Sequence, residues 1–147
     1  MSGFELGTDG PTTILVGIDG SDTSMRAAAY AAGLARRQSA ELLLVYVGST
    51  PSMTSLVPEL AGSVEQTNEE VAEDLRKEVE TAAARSGVAY RFITVHGDPY
   101  AELARIADEE RADAVVVGAS SQAGHRLVGS IAVRLVRAGR WPVTVVP

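Results

Sequence analysis

Five short apolar runs rich in β-branched residues punctuate the chain, at Thr13–Ile18, Leu42–Val47, Tyr90–Val95, Ala114–Val117 and Val143–Val146. Runs of this length suit strands buried on both faces. The intervals between them carry helical spacing. The first is Ala-rich, from Ser21 as N-cap through Met25, Ala28, Ala29, Ala32 and Ala35, and such small side chains let helix and sheet approach closely. The second sets Val71, Leu75, Val79 and Ala82 on one stripe, with acidic residues and Lys77 outside, and stops near Gly87. The third opens on an Asp98 cap and a first-turn Pro99 and turns Leu103, Ile106 and Ala107 inward. The fourth starts about Gly129, turns Ile131, Ala132, Leu135 and Val136 inward and ends at Gly139, after which Pro142 opens the last strand. Strands alternating with helices in this way predict an α/β fold, an open parallel five-stranded sheet with helices on both faces.

With 147 residues the chain makes one domain, which we place at residues 12–147 behind a flexible arm of residues 1–11. The segment from Gly48 to Ser63, with Pro51, Pro58 and Gly62, reads as a long connection, either a functional flap or an unstructured loop. There is no cysteine, which excludes disulfides, iron–sulfur clusters and thiolate catalysis. Two histidines, His96 and His125, are too few for a dedicated zinc site. No apolar stretch approaches the ~18 residues of a membrane span, and the first residues lack a basic region followed by a hydrophobic one. The expectation is a cytoplasmic protein without membrane contact. A net charge of −6 argues against electrostatic binding to nucleic acid. The one basic cluster, Arg134, Arg137 and Arg140, falls on the last turns of the fourth helix, where cations complement the helix dipole.

In an open parallel sheet ligands bind beyond the carboxyl ends of the strands, where strand order reverses. Three features fall at such ends: Gly17-Ile-Asp-Gly-Ser-Asp22, Val47, and the stretch from Gly118 to Ser130. Asp19 could accept hydrogen bonds from ribose hydroxyls or an adenine amino group, although Asp19 and Ser21 also suit a plain turn and helix cap. Gly118 and Gly129 permit close backbone approach, and Ser130 at a helix start offers a hydroxyl and an N–H to a phosphate oxygen. The same residues also suit a simple strand-to-helix connection. Two well-known phosphate loops are absent: Gly124-x4-Gly129-Ser130 has serine where a Walker A loop needs lysine, and no Gly-x-Gly-x-x-Gly occurs. Ser120 and Ser121 sit in Gly-Ala-Ser-Ser-Gln, which is no nucleophile elbow. His125 is the only titratable base beside the loop, and a lone loop histidine is ordinarily idle. Magnesium would need a carboxylate such as Asp19.

Residues 12–147 resemble a universal stress protein domain. The resemblance rests on Ile14-Leu-Val-Gly-Ile-Asp-Gly-Ser21, Leu43-Leu-Val-Tyr-Val47, Gly97-Asp-Pro99, Ala112-Asp-Ala-Val-Val-Val-Gly118, Gly129-Ser-Ile-Ala and Trp141-Pro-Val-Thr-Val-Val146. It implies a Rossmann-like sheet of the adenine nucleotide alpha hydrolase type, and homodimers formed by antiparallel pairing of the last strands, Val143–Val146. Such pairing would also cover an exposed edge. Members that bind ATP carry Gly-x2-Gly-x9-Gly-Ser/Thr around the phosphates. Here Gly118, Gly129 and Ser130 match, Ser121 replaces the second glycine, and the loop after it is two residues shorter. By the resemblance, Asp19 would touch ribose and Val47 the adenine through its backbone. Gly17, Ser120, Ser121, Gly124 and Ile131 would complete the pocket.

The reading that follows is a regulatory module that binds ATP, with or without magnesium, and cyclic AMP as the second candidate. No enzymatic activity is expected beyond slow incidental hydrolysis, and its regulatory protein partners are not named by the residues. The alternative is a dimeric scaffold with a vestigial pocket, motivated by Ser121 and the shortened loop.

Overall fold

The computed structural model describes residues 10–48, 58–120 and 129–147. Strands β1 (Thr13–Ile18), β2 (Glu41–Gly48), β3 (Tyr90–His96), β4 (Ala114–Gly118) and β5 (Val143–Val146) alternate with helices α1 (Asp22–Gln38), α2 (Pro58–Ser86), α3 (Pro99–Glu109) and α4 (Ser130–Ala138). The strands lie in the order β3-β2-β1-β4-β5, and every pair is parallel. This is the predicted architecture. Residues 1–9 of the expected arm lie outside the described residues.

Alternate side chains of the inner strands feed two cores. Ile14, Val16, Ile18, Leu42, Leu44 and Val116 pack under α1 and α2, while Leu15, Leu43, Val45, Val115 and Val117 pack under α3 and α4. Burial on both faces explains why these strands read as unbroken apolar runs. Both predicted caps form. The Ser21 hydroxyl accepts the Ser24 N–H at 3.3 Å, and the Asp98 carboxylate accepts the Ala101 N–H at 2.8 Å.

Four expectations need correction. Along α1 the sheet-facing stripe is Ser24, Ala27, Ala28, Ala31 and Ala35, with Ala29 exposed, because in so Ala-rich a helix the apolar pattern leaves the rotation open. Ala82 of α2 is exposed while Ala72 is buried. Val136 is 56% exposed, since Ile131, Ala132 and Leu135 already fill the contact of a short helix with the sheet. Of the expected Gly48–Ser63 connection, residues 49–57 lie outside the described residues, and from Pro58, a residue tolerated in a first helical turn, the chain is already α2.

The arginine cluster divides. Arg134 pairs with Asp98 and Arg140 with Asp108, tying α4 and its following turn to α3. From β1 the chain winds through β2 to β3 on one side, then crosses to β4 and β5 on the other. That reversal leaves a crevice at the carboxyl ends of β1 and β4.

Candidate functional site

A cleft of about 280 Å³ opens at this crevice. Of the predicted site residues, Gly17, Asp19, Val47, Gly118, Ser120, Gly129, Ser130 and Ile131 line it. Ser121 and Gly124, like His125, lie outside the described residues.

The wall at the end of β1 is a hydrogen-bonded turn. The Ser21 N–H donates to Asp19 Oδ1 at 2.8 Å, and the Asp19 N–H donates to Ser24 Oγ at 3.2 Å, whose hydroxyl in turn donates to the Ser21 carbonyl at 3.0 Å. Partial burial is the largest influence on the Asp19 carboxyl and works against its charge. Hydrogen bonds from the Ser21 hydroxyl and N–H, with smaller parts from Ser24 and its own backbone, together outweigh it and hold the group below the usual carboxylate range. Asp19 is therefore a fixed, fully ionised acceptor at neutral pH. Turn formation and ligand acceptance, which the residues alone left as alternatives, are compatible here: one carboxylate oxygen closes the turn while the side chain still lines the cleft.

The opposite wall is the start of α4. Its N-cap is Gly129, in the left-handed region at φ +91°, and among the described residues no side chain caps the first turn. The Val133 N–H makes the first helical bond, to the Gly129 carbonyl at 3.1 Å, so the N–H groups of Ser130, Ile131 and Ala132 precede the intrahelical ladder. All three residues line the cleft. Uncapped first-turn amides and the positive end of the helix dipole make this wall complementary to an anion.

Between the walls, Gly118 serves the fold in a way the sequence did not disclose. A Cβ there would lie 2.5 Å from the carbonyl carbon of Thr23 and 2.7 Å from the Ser24 nitrogen, both backbone atoms of α1. The close approach that glycine permits is to α1 rather than to a ligand alone. Thr23, which sequence reasoning missed, stitches the same junction: its hydroxyl donates to the Ala119 carbonyl at 2.7 Å. No sequence signal distinguishes such a threonine from any other polar residue in a first helical turn.

Val47 occupies the third side. The Gly97 N–H donates to the Gly48 carbonyl at 3.2 Å, so Gly48 presents its polar groups to β3. Backbone polarity alternates along a parallel strand, and Val47 therefore presents its own to the β1 side, where the last β1 residue in register is Ile18, opposite Tyr46. The Val47 carbonyl faces the cleft beyond the end of β1. Val45, Leu103 and Val117 supply an apolar floor suited to a flat ring.

Residues 11–147 match the sequence model of the Universal stress protein family. The universal stress protein YxiE of Bacillus subtilis is 32% identical over 143 residues, covering 90% of this chain and 97% of that protein. Among solved structures, a universal stress protein in complex with cAMP is 28% identical and superposes with a TM-score of 0.71, covering 93% of this chain and 97% of that one. An Arabidopsis thaliana universal stress protein family protein with AMP bound shares the fold, with a TM-score of 0.68 at 20% identity over 92% of this chain and 91% of that one.

Proposed function

The chain belongs to the universal stress protein family, and on that premise we propose that its cleft binds an adenine nucleotide as a regulatory ligand, ATP being the first candidate and cyclic AMP the second. The observation that carries this reading is the uncapped first turn of α4, set across the cleft from an ionised Asp19. Each part of a nucleotide has a matching wall. Adenine lies on the apolar floor with its amino group toward the Val47 carbonyl, ribose hydroxyls donate to Asp19, and phosphate oxygens accept from the Ser130, Ile131 and Ala132 amides. The AMP and cAMP named for the two solved relatives combine the same three chemical parts. Asp19 is the carboxylate that lines the cleft among the described residues, so magnesium would arrive with the phosphates rather than on a site of several acidic ligands.

Binding without turnover fits this site. A carboxylate held below its usual range is a weak base, and Asp19 already accepts the Ser21 N–H. The protein then works as a pair of identical chains joined along β5, the sheet's last strand. The two large apolar side chains most exposed among the described residues, Tyr30 and Val136, support that pairing. Val136 lies on α4 beside β5, and Tyr30 stands one turn beyond Arg26, whose guanidinium donates to the Pro147 carbonyl at 2.8 Å. Among the described residues no helix is long and apolar enough to cross a membrane, and a cytoplasmic location completes the proposal.

Isothermal titration with ATP and magnesium tests the reading. We expect saturable heat, and Asp19→Ala to weaken binding by tenfold to a hundredfold, the effect of losing roughly 1.5–3 kcal/mol of hydrogen bonding to a charged group. ATP at a hundred times its dissociation constant should add about 2.7 kcal/mol of stability. No heat at millimolar ATP or cyclic AMP, with an unchanged melting temperature, would overturn this reading in favour of the second, a paired scaffold. That reading is favoured by Ser121 where ATP-binding relatives have glycine.

A further inference from the structure

The ion pair between α3 and α4 joins residues adjacent in sequence or helical turn to the cleft lining, and its cation has more hydrogen-bonding capacity than its partner uses. Arg134 is four residues beyond Ser130, so the two share one face of α4, and helical side chains lean toward the N-terminus, here toward the cleft. Its guanidinium stacks 4.1 Å above the Tyr100 ring and stands 3.7 Å from Asp98 Oδ2. At 3.7 Å the pairing is electrostatic and no hydrogen bond forms. The same Asp98 oxygen instead accepts the Ala101 N–H at 2.8 Å. Pro99, between Asp98 and Tyr100, lines the cleft, as does Ser130 one turn before Arg134, so the cation stands beside lining residues of both helices. The Arg134 side chain is 54% exposed there.

Resting on the nucleotide reading, we propose that Arg134 is a specificity residue that senses the length of the phosphate chain. The three first-turn amides hold the phosphate nearest the ribose. The guanidinium, one turn further along the same helix face, takes oxygens of the outer phosphates through donors that Asp98 leaves unused. Stacking on Tyr100 orders the planar group beforehand, so little side-chain freedom is lost when phosphate arrives. Asp98 keeps the guanidinium in place by charge without occupying its N–H groups.

Titrations of the full chain and of Arg134→Gln with ATP, AMP and adenosine test this. The variant should bind ATP about tenfold more weakly, bind adenosine as the parent does, and show a smaller loss of ATP affinity as salt is raised. Arg134→Lys, which keeps the charge, should recover part of the ATP preference. Equal weakening of ATP and adenosine would assign Arg134 to holding α3 against α4 and overturn the proposal, as would unchanged ATP binding in Arg134→Gln. If the parent protein binds adenosine but not ATP, the phosphate role fails while the adenine site stands. If it binds none of the three, the nucleotide reading itself fails.

Discussion

Two helices begin at the same cleft and finish their first turns differently. At α1 the Ser21 hydroxyl accepts the Ser24 N–H, Asp19 accepts the Ser21 N–H, and Thr23 reaches across to Ala119. Its cap is made within the protein, the Ser24 amide being taken by the Ser21 hydroxyl. At α4 the capping position is Gly129, with no side-chain hydrogen bond among the described residues. Both ends carry the same partial positive charge. The second has no side-chain cap among the described residues, whereas the turn that leads into the first is closed and holds a carboxylate steady on the facing wall. The site thus joins a closed helix start, which positions an acceptor, to an open one, which supplies donors.

The largest effect expected from breaking this arrangement is at the seam between α1 and the end of β4. Gly118→Ala would drive a Cβ to 2.5 Å from α1 backbone, which no rotamer change relieves. We expect a loss of about 3 kcal/mol, the upper part of the range for overpacking a tight contact. In a chain of this size that is a fall in melting temperature of roughly 10 °C, readable by calorimetry. Survival of the parent melting temperature would mean that α1 does not lie this close to β4.

Next comes a change that makes α4 resemble α1. Ser130→Asp adds a carboxylate to the open first turn. It should leave the fold as stable or raise stability by up to ~1 kcal/mol through the helix dipole. The same charge within several ångströms of bound phosphate should weaken ATP binding about a hundredfold. Stability and affinity moving in opposite directions distinguishes a ligand-binding helix start from a structural one. If the two fall together, α4's first turn serves the fold.

Ser21→Ala opens the closed end. Removing the cap should cost about 1 kcal/mol, measured by urea denaturation. It also removes a hydroxyl that stabilises the Asp19 charge, so ATP affinity should fall by a few-fold.

Much of this was legible in the residues. Unbroken β-branched runs give the parallel sheet, Ser21 and Asp98 announce their helices, and the conjunction of Gly17-Ile-Asp19 with Gly129-Ser130 points to the cleft. What escaped was mostly a matter of rotation and proximity. Ala29 and Ala82 fit a helical stripe as well as Ala27 and Ala72 do, because alanine marks no face strongly. Val136 fits the α4 period, but a helix of nine residues spends its contact on Ile131, Ala132 and Leu135. Pro58 reads as a loop residue and opens a helix of 29 residues. Gly118 reads as room for phosphate, whereas its Cα faces the backbone of Thr23, a neighbour 95 positions earlier that spacing does not reveal.

The smallest expected effect is in the response to acid. The folded carboxyl of Asp19 lies below its unfolded value of about 3.9, so the charged form is favoured by folding. Its contribution is complete at pH values above about 3.9 and disappears as pH falls through the lower, folded value. Urea midpoints followed from pH 7 to pH 3 should therefore decline slightly more steeply in the parent than in Asp19→Asn, which cannot titrate. The difference should be confined to the acid end of the range and stay small, because the group is partly open to solvent. In Ser21→Ala the decline should fall between the two, since one of the donors that favour the charge has gone. Parallel curves for all three would mean that the turn does not hold the Asp19 carboxylate in solution. The wall facing α4 would then be less rigid than the nucleotide site requires.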